Sequence, residues 1–568
     1  MTFTASNISL RQCINVLIHN IFIIFMMNLI KDLGLMFHGK PHESEISMAD
    51  TITTTSPLKL LMSMIMIGFL LMSQSTFAKQ DSKIGESEAS HCYVDDLSER
   101  LECGFITVPE DRTKPDGKQI DIHYVVLPAI KNGANSEAFL AIAGGPGQSA
   151  IDNAAGFSRM FSKVRQKRDI LLIDQRGTGR SNVLNCEGEG FEGALSINEA
   201  DFDVAKETQA CLDTLDADVT QYGSLSALED FEAVRQHLGY QKLHLYGISY
   251  GTRMAQLYMR HYPQVLSTVT IDGVVPMQQS VLAIGNAINR GFELLIQDCD
   301  ENKLCGAQFP HLKEDLHKVD AELALQPAIS QVNDPLTGES TQLTMTRSKF
   351  MGAIRMALYM PNVRALLPHA ISEAAKENFQ PIMGLYALTI DSTGIAMGMH
   401  ASVVCGEDWQ RLTQEERDAA NQTYFGQEMI TNFEKSCAIW NMPAVDSSFS
   451  APISSNIPTL ALSGQIDPAT PPSWGELAME KLTNAKHFIA PYATHGVANQ
   501  SCGNDLIALL VDTGSVKEID GECLNKDVSR NFYLNASTVE AIPAKPDTPT
   551  ETKQADAPHG VEQGDSHD

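Results

Sequence analysis

The sequence predicts an α/β protein, a mostly parallel sheet with helices on both faces, interrupted once by a helical insertion. Three observations carry this. Short, largely apolar runs (138–143, 170–173 and 243–246) and the strand 268–272 alternate with segments of helical periodicity, the pattern of strands buried on both faces. One of these runs, Leu243–Tyr246, passes through Gly247-Ile248-Ser249-Tyr250-Gly251 into a stretch with Met254, Leu257 and Tyr258 at helical spacing. Finally, the alternation stops at Met277 and strand pattern returns only near Ile457, leaving a Met- and Leu-rich span of helical character between them.

The strands follow in order. Gly104–Pro109 and Gln119–Leu127 flank the polar loop Glu110–Lys118 and read as an edge hairpin. Ala138–Ala143 is a buried strand that runs into Gly144-Gly145-Pro146-Gly147-Gln148-Ser149. Ile170–Asp174 is another, followed by Gln175-Arg176-Gly177-Thr178-Gly179-Arg180-Ser181. That loop has neither the Gly-Lys-Ser/Thr ending nor the Gly-x-Gly-x-x-Gly spacing of nucleotide sites, so Asp174 and Arg176 are expected to brace the turn. Ser226-Ala227-Leu228-Glu229 has the form of a capping box and predicts a helix start, with Gly239 as its stop. Within the insertion, Ser348–Leu367 reads as one amphipathic helix. After it come the strand Ile457–Gly464, a helix at Ser473–Leu482 and the strand Lys486–Ala490.

The strand, sharp turn and helix around Ser249 form a nucleophile elbow, in which glycines two residues either side remove Cβ atoms from a crowded corner. Chain order then selects its partners. In this architecture the acid and the histidine follow the serine, and Asp467 and His495 each follow a late strand. His495 is the expected base for Ser249, and Asp467 the group that holds its imidazole. Asp272, which also ends a strand, is the rival acid and is expected to be structural. The loop after the third strand and the residue after the nucleophile supply the expected oxyanion donors, the N–H groups of Gly145 and Tyr250. No cofactor or metal is expected, since the cysteines lack paired C-x-x-C zinc spacing.

Together Gly144–Gly147, Asp174–Ser181, Gly247–Gly251, Ser463–Pro468 and Thr494-His495-Gly496 resemble the prolyl aminopeptidase and tripeptidyl aminopeptidase family of α/β-hydrolase serine peptidases, from about Cys92 to Cys523. Prolyl aminopeptidases open the oxyanion loop with His-Gly-Gly-Pro-Gly. Ala143 stands here, so the secreted, cysteine-rich tripeptidyl branch is the closer match. The resemblance implies an α/β-hydrolase fold and an exopeptidase acting on peptides with a free N-terminus. Such an enzyme needs a negative group for the substrate ammonium, and Glu407 and Asp408, beside Trp409, are the expected pair. An internal salt bridge or helix cap is the competing reading for them. An esterase or lipase on small esters is the alternative function; a non-catalytic binding module of the same fold is a further one.

The domain reading is a leader at 1–78, a first core segment at 79–276, a helical cap at 277–451, a second core segment at 452–536 and a disordered acidic tail at 537–568. Within the leader, Lys59 followed by Leu60–Met72 and a site ending Thr76-Phe77-Ala78 reads as a signal peptide that could start at Met48. Residues 1–47 are then an over-extended start; the competing reading keeps Ile14–Ile30 as an anchor. The first reading implies no stable membrane insertion after leader removal and a periplasmic or secreted enzyme. Ten cysteines remain after Cys13, an even number that suits an oxidising compartment, and element order favours the pairs 92–103, 186–211, 299–305, 405–437 and 502–523. A net charge of −28 argues against nucleic acid as a partner.

Overall fold

The computed structural model describes residues 90–131, 136–185, 198–334, 338–390 and 394–539. The leader and the acidic tail expected above lie outside them. A nine-stranded sheet organises these residues, in the order β1-β2-β3-β5-β4-β6-β7-β10-β11. Its strands are β1 (Ser90–Cys92), β2 (Leu101–Pro109), β3 (Gln119–Leu127), β4 (Glu137–Ile142), β5 (Asp169–Ile173), β6 (Lys242–Ile248), β7 (Leu266–Asp272), β10 (Thr459–Gly464) and β11 (Ala485–Ala490). From β5 to β11 every pairing is parallel, while β1, β2 and β3 add an antiparallel edge.

Strand β4 shows why continuous apolar runs form the centre. Ala138, Leu140 and Ile142 join the core on one face, and Phe139 and Ala141 the core on the other. Helices Ser224–His237 (α1) and Tyr250–His261 (α2) cover the first face with Leu228, Phe231, Met254 and Leu257. Ala154–Met160 and Gly503–Thr513 cover the second with Phe157, Ile507 and Leu510. The last of these helices has no counterpart in the sequence reading.

The insertion is mainly helical and has its own core, built from side chains such as Ile288, Leu295, Phe350, Ile354 and Ile371. It also contains an antiparallel hairpin, β8 (Ala328–Asn333) with β9 (Ser340–Met345), where only helix was expected. The span read as one helix from Ser348 to Leu367 is broken. Helix α3 (Arg347–Leu358) ends, Met360 is extended, and a new turn begins at Pro361. Proline disfavours helical geometry in the residue before it and has no N–H to donate, so the break falls where Pro361 dictates. The later part of the insertion does not pack as a separate lid: Ala396, Met399, Val403 and Phe449 join the core of the sheet's first face.

Helix α1 corrects another expectation. It starts at Ser224, and Ser226 is inside it, so the Ser226–Glu229 capping box does not form. The cap comes from far away: Glu407 accepts from both the backbone N–H and the hydroxyl of Ser224.

Four disulfides join Cys92–Cys103, Cys299–Cys305, Cys405–Cys437 and Cys502–Cys523. Cys211 is also disulfide-bonded, and its expected partner Cys186 lies outside the described residues. Bridges of this number persist in oxidising compartments. Among the described residues no helix is long and apolar enough to cross a membrane.

The corner at Gly251 yields a test of packing. A Cβ there would lie 2.5 Å from the Ile142 carbonyl oxygen, against backbone that cannot turn aside. Gly251→Ala is expected to lower unfolding free energy by about 1–3 kcal/mol. Gly156→Ala, where a Cβ meets nothing within 4 Å, is expected to leave it unchanged or slightly higher. Chemical denaturation of the two variants checks this; equal stabilities would remove the crowding argument.

Candidate active site

Ser249 stands between β6 and α2 with φ 57° and ψ −125°, a conformation non-glycine residues avoid. Its neighbours make that turn the only one that fits. A Cβ on Gly247 would sit 2.2 Å from the Gly251 carbonyl oxygen, and one on Gly144 would sit 3.0 Å from Cβ of Ser249. The Ser249 N–H donates to the Asp272 carbonyl at 3.0 Å, which ties the elbow to the end of β7.

Asp467 follows β10 in a tight turn and is fully buried. Its Oδ1 accepts the N–H groups of Ala469 (2.7 Å) and Thr470 (2.9 Å). Its Oδ2 accepts the Thr470 hydroxyl (2.7 Å) and lies 2.9 Å from His495 Nδ1. A carboxylate only accepts, so Nδ1 carries the proton and Nε2 is the lone-pair nitrogen of the neutral ring. Burial pushes the Asp467 carboxyl up, but the His495 charge and these donors outweigh it and hold it below the ordinary aspartate value. Burial likewise pushes His495 down, and the Asp467 charge outweighs that, so its pKa lies above 6.5.

Asp272 is also fully buried, but it turns to the backbone. It accepts from Val497 N (2.8 Å), Ala498 N (2.9 Å) and the Tyr246 hydroxyl (3.0 Å). It thus anchors the turn just after His495. The next residue, Gly273, lies against the imidazole; a Cβ there would be 3.0 Å from His495 Cε1. Elbow and histidine therefore flank one turn, Asp272–Gly273. Over the ring lies Tyr359, from the break after α3, with centroids 5.3 Å apart at 77°.

The oxyanion loop packs beside Ser249 through Gly144. Gly145 and Gly147 have φ of 105° and 113°, which only glycine adopts without strain. The loop is held from the insertion: His400 Nδ1 donates to the Pro146 carbonyl at 3.0 Å, the donor role being fixed because a carbonyl cannot donate. The Tyr250 side chain points away into the core, where its hydroxyl meets Ser224 Oγ (2.7 Å) and Gln175 Nε2 (3.1 Å), so only its backbone is left to face Ser249. Asp174 and Arg176 brace their loop: Asp174 accepts from Ser149 Oγ, Ile151 N and Arg180 N, and Arg176 pairs with Asp230. Thr470, Tyr359 and His400 were not singled out in the sequence. Of the three, only Thr470 carried a signal, as the residue three beyond an Asp-Pro turn.

The expected ammonium site is not met by the structure. Asp408 is fully buried and its oxygens are occupied by Arg253 Nη1 (2.8 Å) and Nη2 (2.9 Å), Arg411 Nη2 (3.0 Å) and Val281 N (2.9 Å). Glu407 is turned to Ser224 and has Arg253 Nη1 at 3.7 Å. The competing reading holds instead, a salt bridge for Asp408 and a helix cap for Glu407. A π-turn at Val404–Asp408 lets two adjacent carboxyl groups both reach inward. Among the described residues no group of His, Cys, Asp and Glu is placed to hold a metal ion.

A parallel sheet with its serine at the elbow, and an acid–histidine pair following in that order, defines an α/β-hydrolase. The family model described as "alpha/beta hydrolase fold" matches residues 137–348, and that described as "TAP-like protein" matches residues 421–523. The chain thus has the α/β-hydrolase fold, and it is similar to proteases, tripeptidyl aminopeptidases and proline iminopeptidases. It is 24% identical over 456 residues to serine protease Hip1 of Mycobacterium tuberculosis, covering 74% of this chain and 87% of that one. Identity to a tripeptidyl aminopeptidase of Streptomyces lividans is 28% over 203 residues, 32% of this chain and 37% of that one. Identity to a proline iminopeptidase of Aeromonas sobria is 25% over 211 residues, 36% and 44% respectively.

Two predictions follow from the carboxylates. If His495 is the base, its neutral form is needed, and its pKa is raised by Asp467. The acid limb of kcat/KM should then have its midpoint above 6.5. Asp467→Asn should move that midpoint to lower pH and cut turnover by about 10⁴-fold, whereas Asp272→Asn should chiefly lower the melting temperature. Rate–pH profiles of folded variants decide it, and the reverse ranking would exchange the two roles. Second, Asp408→Ala leaves Arg253 buried beside only Glu407 and should cost about 3–5 kcal/mol of stability. A weaker KM for peptides at unchanged stability would restore Asp408 as a substrate contact.

Proposed function

We propose that the chain is a serine exopeptidase that hydrolyses peptide bonds near a free N-terminus through an acyl-enzyme on Ser249. The observation that carries this reading is the buried Asp467–His495 pair, 2.9 Å apart, beside a serine held in a strained elbow. In the forward step Ser249 Oγ attacks the scissile carbonyl carbon as His495 Nε2 takes its proton. The tetrahedral oxyanion is met by the N–H groups of Gly145 and Tyr250. His495 then gives the proton to the leaving amine, the C–N bond breaks, and the acyl group stays on Ser249. A water attacks that ester, its proton passing through His495 back to the serine. Asp467 keeps the imidazole in the tautomer this cycle needs.

The names of the relatives support peptide rather than ester substrates, since those above are called protease, aminopeptidase or iminopeptidase. The disulfides support a site of action outside the cytoplasm, periplasmic or secreted. The net charge of −28 suits peptide partners with a positive N-terminus and disfavours nucleic acid.

Mass spectrometry of a peptide panel, each member with a free and an acetylated N-terminus, tests the proposal. Cleavage of free-amine peptides alone is expected, with fluorophosphonate labelling that disappears in Ser249→Ala. Cleavage indifferent to acetylation would sink the exopeptidase reading. Turnover of small esters with all peptides left intact would favour the esterase.

A further inference from the structure

Helix α3 presents a partly exposed stripe of Ser348, Gly352, Arg355, Met356 and Tyr359, while Phe350, Ala353, Ile354, Ala357 and Leu358 are buried in the insertion. The end of this stripe meets the catalytic site. Its lower end is Tyr359, whose ring covers His495 and whose carbonyl accepts the Thr494 hydroxyl at 2.6 Å. One turn earlier on the same face is Arg355, whose charge acts on the Tyr359 hydroxyl. Its charge is also felt at His400, the residue that holds the Pro146 carbonyl. Arg355 therefore lies on the histidine side of the site, one turn from the ring that packs on His495. Beyond it the stripe is open: a Cβ on Gly352 would meet nothing within 4 Å.

The partners of Arg355 set it apart. Arg176 and Arg253, both fully buried, are neutralised by Asp230 and by Asp408. Arg364 and Arg347 on neighbouring segments pair with Asp298 and Asp320. Arg355 is half-buried and makes no ion pair among the described residues; its Nε–H finds no acceptor, as is true also of Arg253 and Arg364, whose other nitrogens are paired with carboxylates. In a chain with 70 acidic residues against 42 basic ones, a cation beside the catalytic site without a carboxylate is a vacancy of charge. Guanidinium is the side chain suited to fill it with a planar carboxylate, through parallel N–H donors.

Taking Ser249 as the peptidase nucleophile, we propose that Arg355 is a specificity-determining residue that binds a carboxylate of the substrate, carried within a few residues of the scissile bond. That carboxylate is either the free C-terminus of a short peptide or an acidic side chain. The enzyme then prefers anionic short peptides over neutral ones, and the open stripe past Gly352 takes the chain that extends from the bound group.

Calorimetric titration of full-length Ser249→Ala enzyme with paired short peptides tests this without turnover. One pair differs only in a C-terminal acid or amide, the other only in Glu or Gln beside the scissile bond. At least one carboxylate should tighten binding by about 10- to 100-fold, and the pair that responds identifies its source. Adding Arg355→Gln should abolish that difference. Arg355→Lys should keep part of it, and Tyr359→Phe, which removes only the internal contact, should keep all of it. Equal binding within both pairs, no binding of any peptide, or equal weakening of both members by Arg355→Gln would overturn the proposal. Peptides that show the charge preference but are never cleaved by the wild-type enzyme would count against the exopeptidase reading and leave Arg355 assigned.

Discussion

Everything in the site depends on one backbone constraint, the positive φ of Ser249. A non-glycine residue held there costs on the order of 1–3 kcal/mol, and it persists only if its surroundings allow nothing else. Here they do not. Glycines at 144, 247 and 251 let three stretches of backbone close to distances that any side chain would prevent. The Ser249 N–H is held by the Asp272 carbonyl, and the Asp272 carboxylate holds the two N–H groups that follow His495. One residue thus fixes both the strained serine and the turn that follows its proposed base. Burial pushes the Asp272 carboxyl up, and the backbone donors only partly offset this, so the anchor is a costly group kept for its geometry.

The same elbow reaches into the insertion through Arg253. It sits on the first turn of α2 and is wholly buried against Asp408, with Glu407 behind. Taking such charges out of water costs several kcal/mol per ion, and their attraction roughly repays it. The net gain is small, but loss of one partner is expensive, which makes the pair a strong specifier of where Val404–Asp408 must lie. Glu407 extends the link to the N-terminus of α1, where a carboxyl group complements the helix dipole. Elbow helix, flanking helix and insertion are therefore tied at one buried point behind the serine.

Much of this architecture is legible in the sequence, and what is not has two causes, distant partners and local patterns that mask a break. The strands at 138–143, 170–173 and 243–246 are readable because two-sided burial demands largely apolar runs. The elbow is readable because its glycines are required by close approach, and Asp467 and His495 because strand order fixes where their loops converge. Failures occur where a distant residue decides. Helix α1 starts at Ser224 because Glu407, 183 positions on, caps it. Glu407 and Asp408 look like an amine site because a sequence shows charge but not which way a side chain turns. The break at Pro361 was within reach of local rules, and periodicity through Ser348–Leu367 masked it. The hairpin β8–β9 was hidden by the helical composition on either side.

That break matters more than its size implies. α3 ends at Leu358, and Tyr359, just past its end, packs on His495. The insertion meets the site largely through backbone acceptors: the Tyr359 carbonyl takes the Thr494 hydroxyl, the Pro146 carbonyl takes His400, the Gly147 carbonyl takes the Ala396 N–H, and the Gln465 carbonyl takes Arg290. Carbonyl acceptors are indifferent to the side chain on their own residue. The sheet can therefore hold the proposed triad in one geometry while the stripe at 352–359 changes its side chains, and with them the charge presented to a substrate. On the two proposals together, chemistry and substrate choice are carried by different segments, joined by bonds that a change of side chain at Tyr359 need not break.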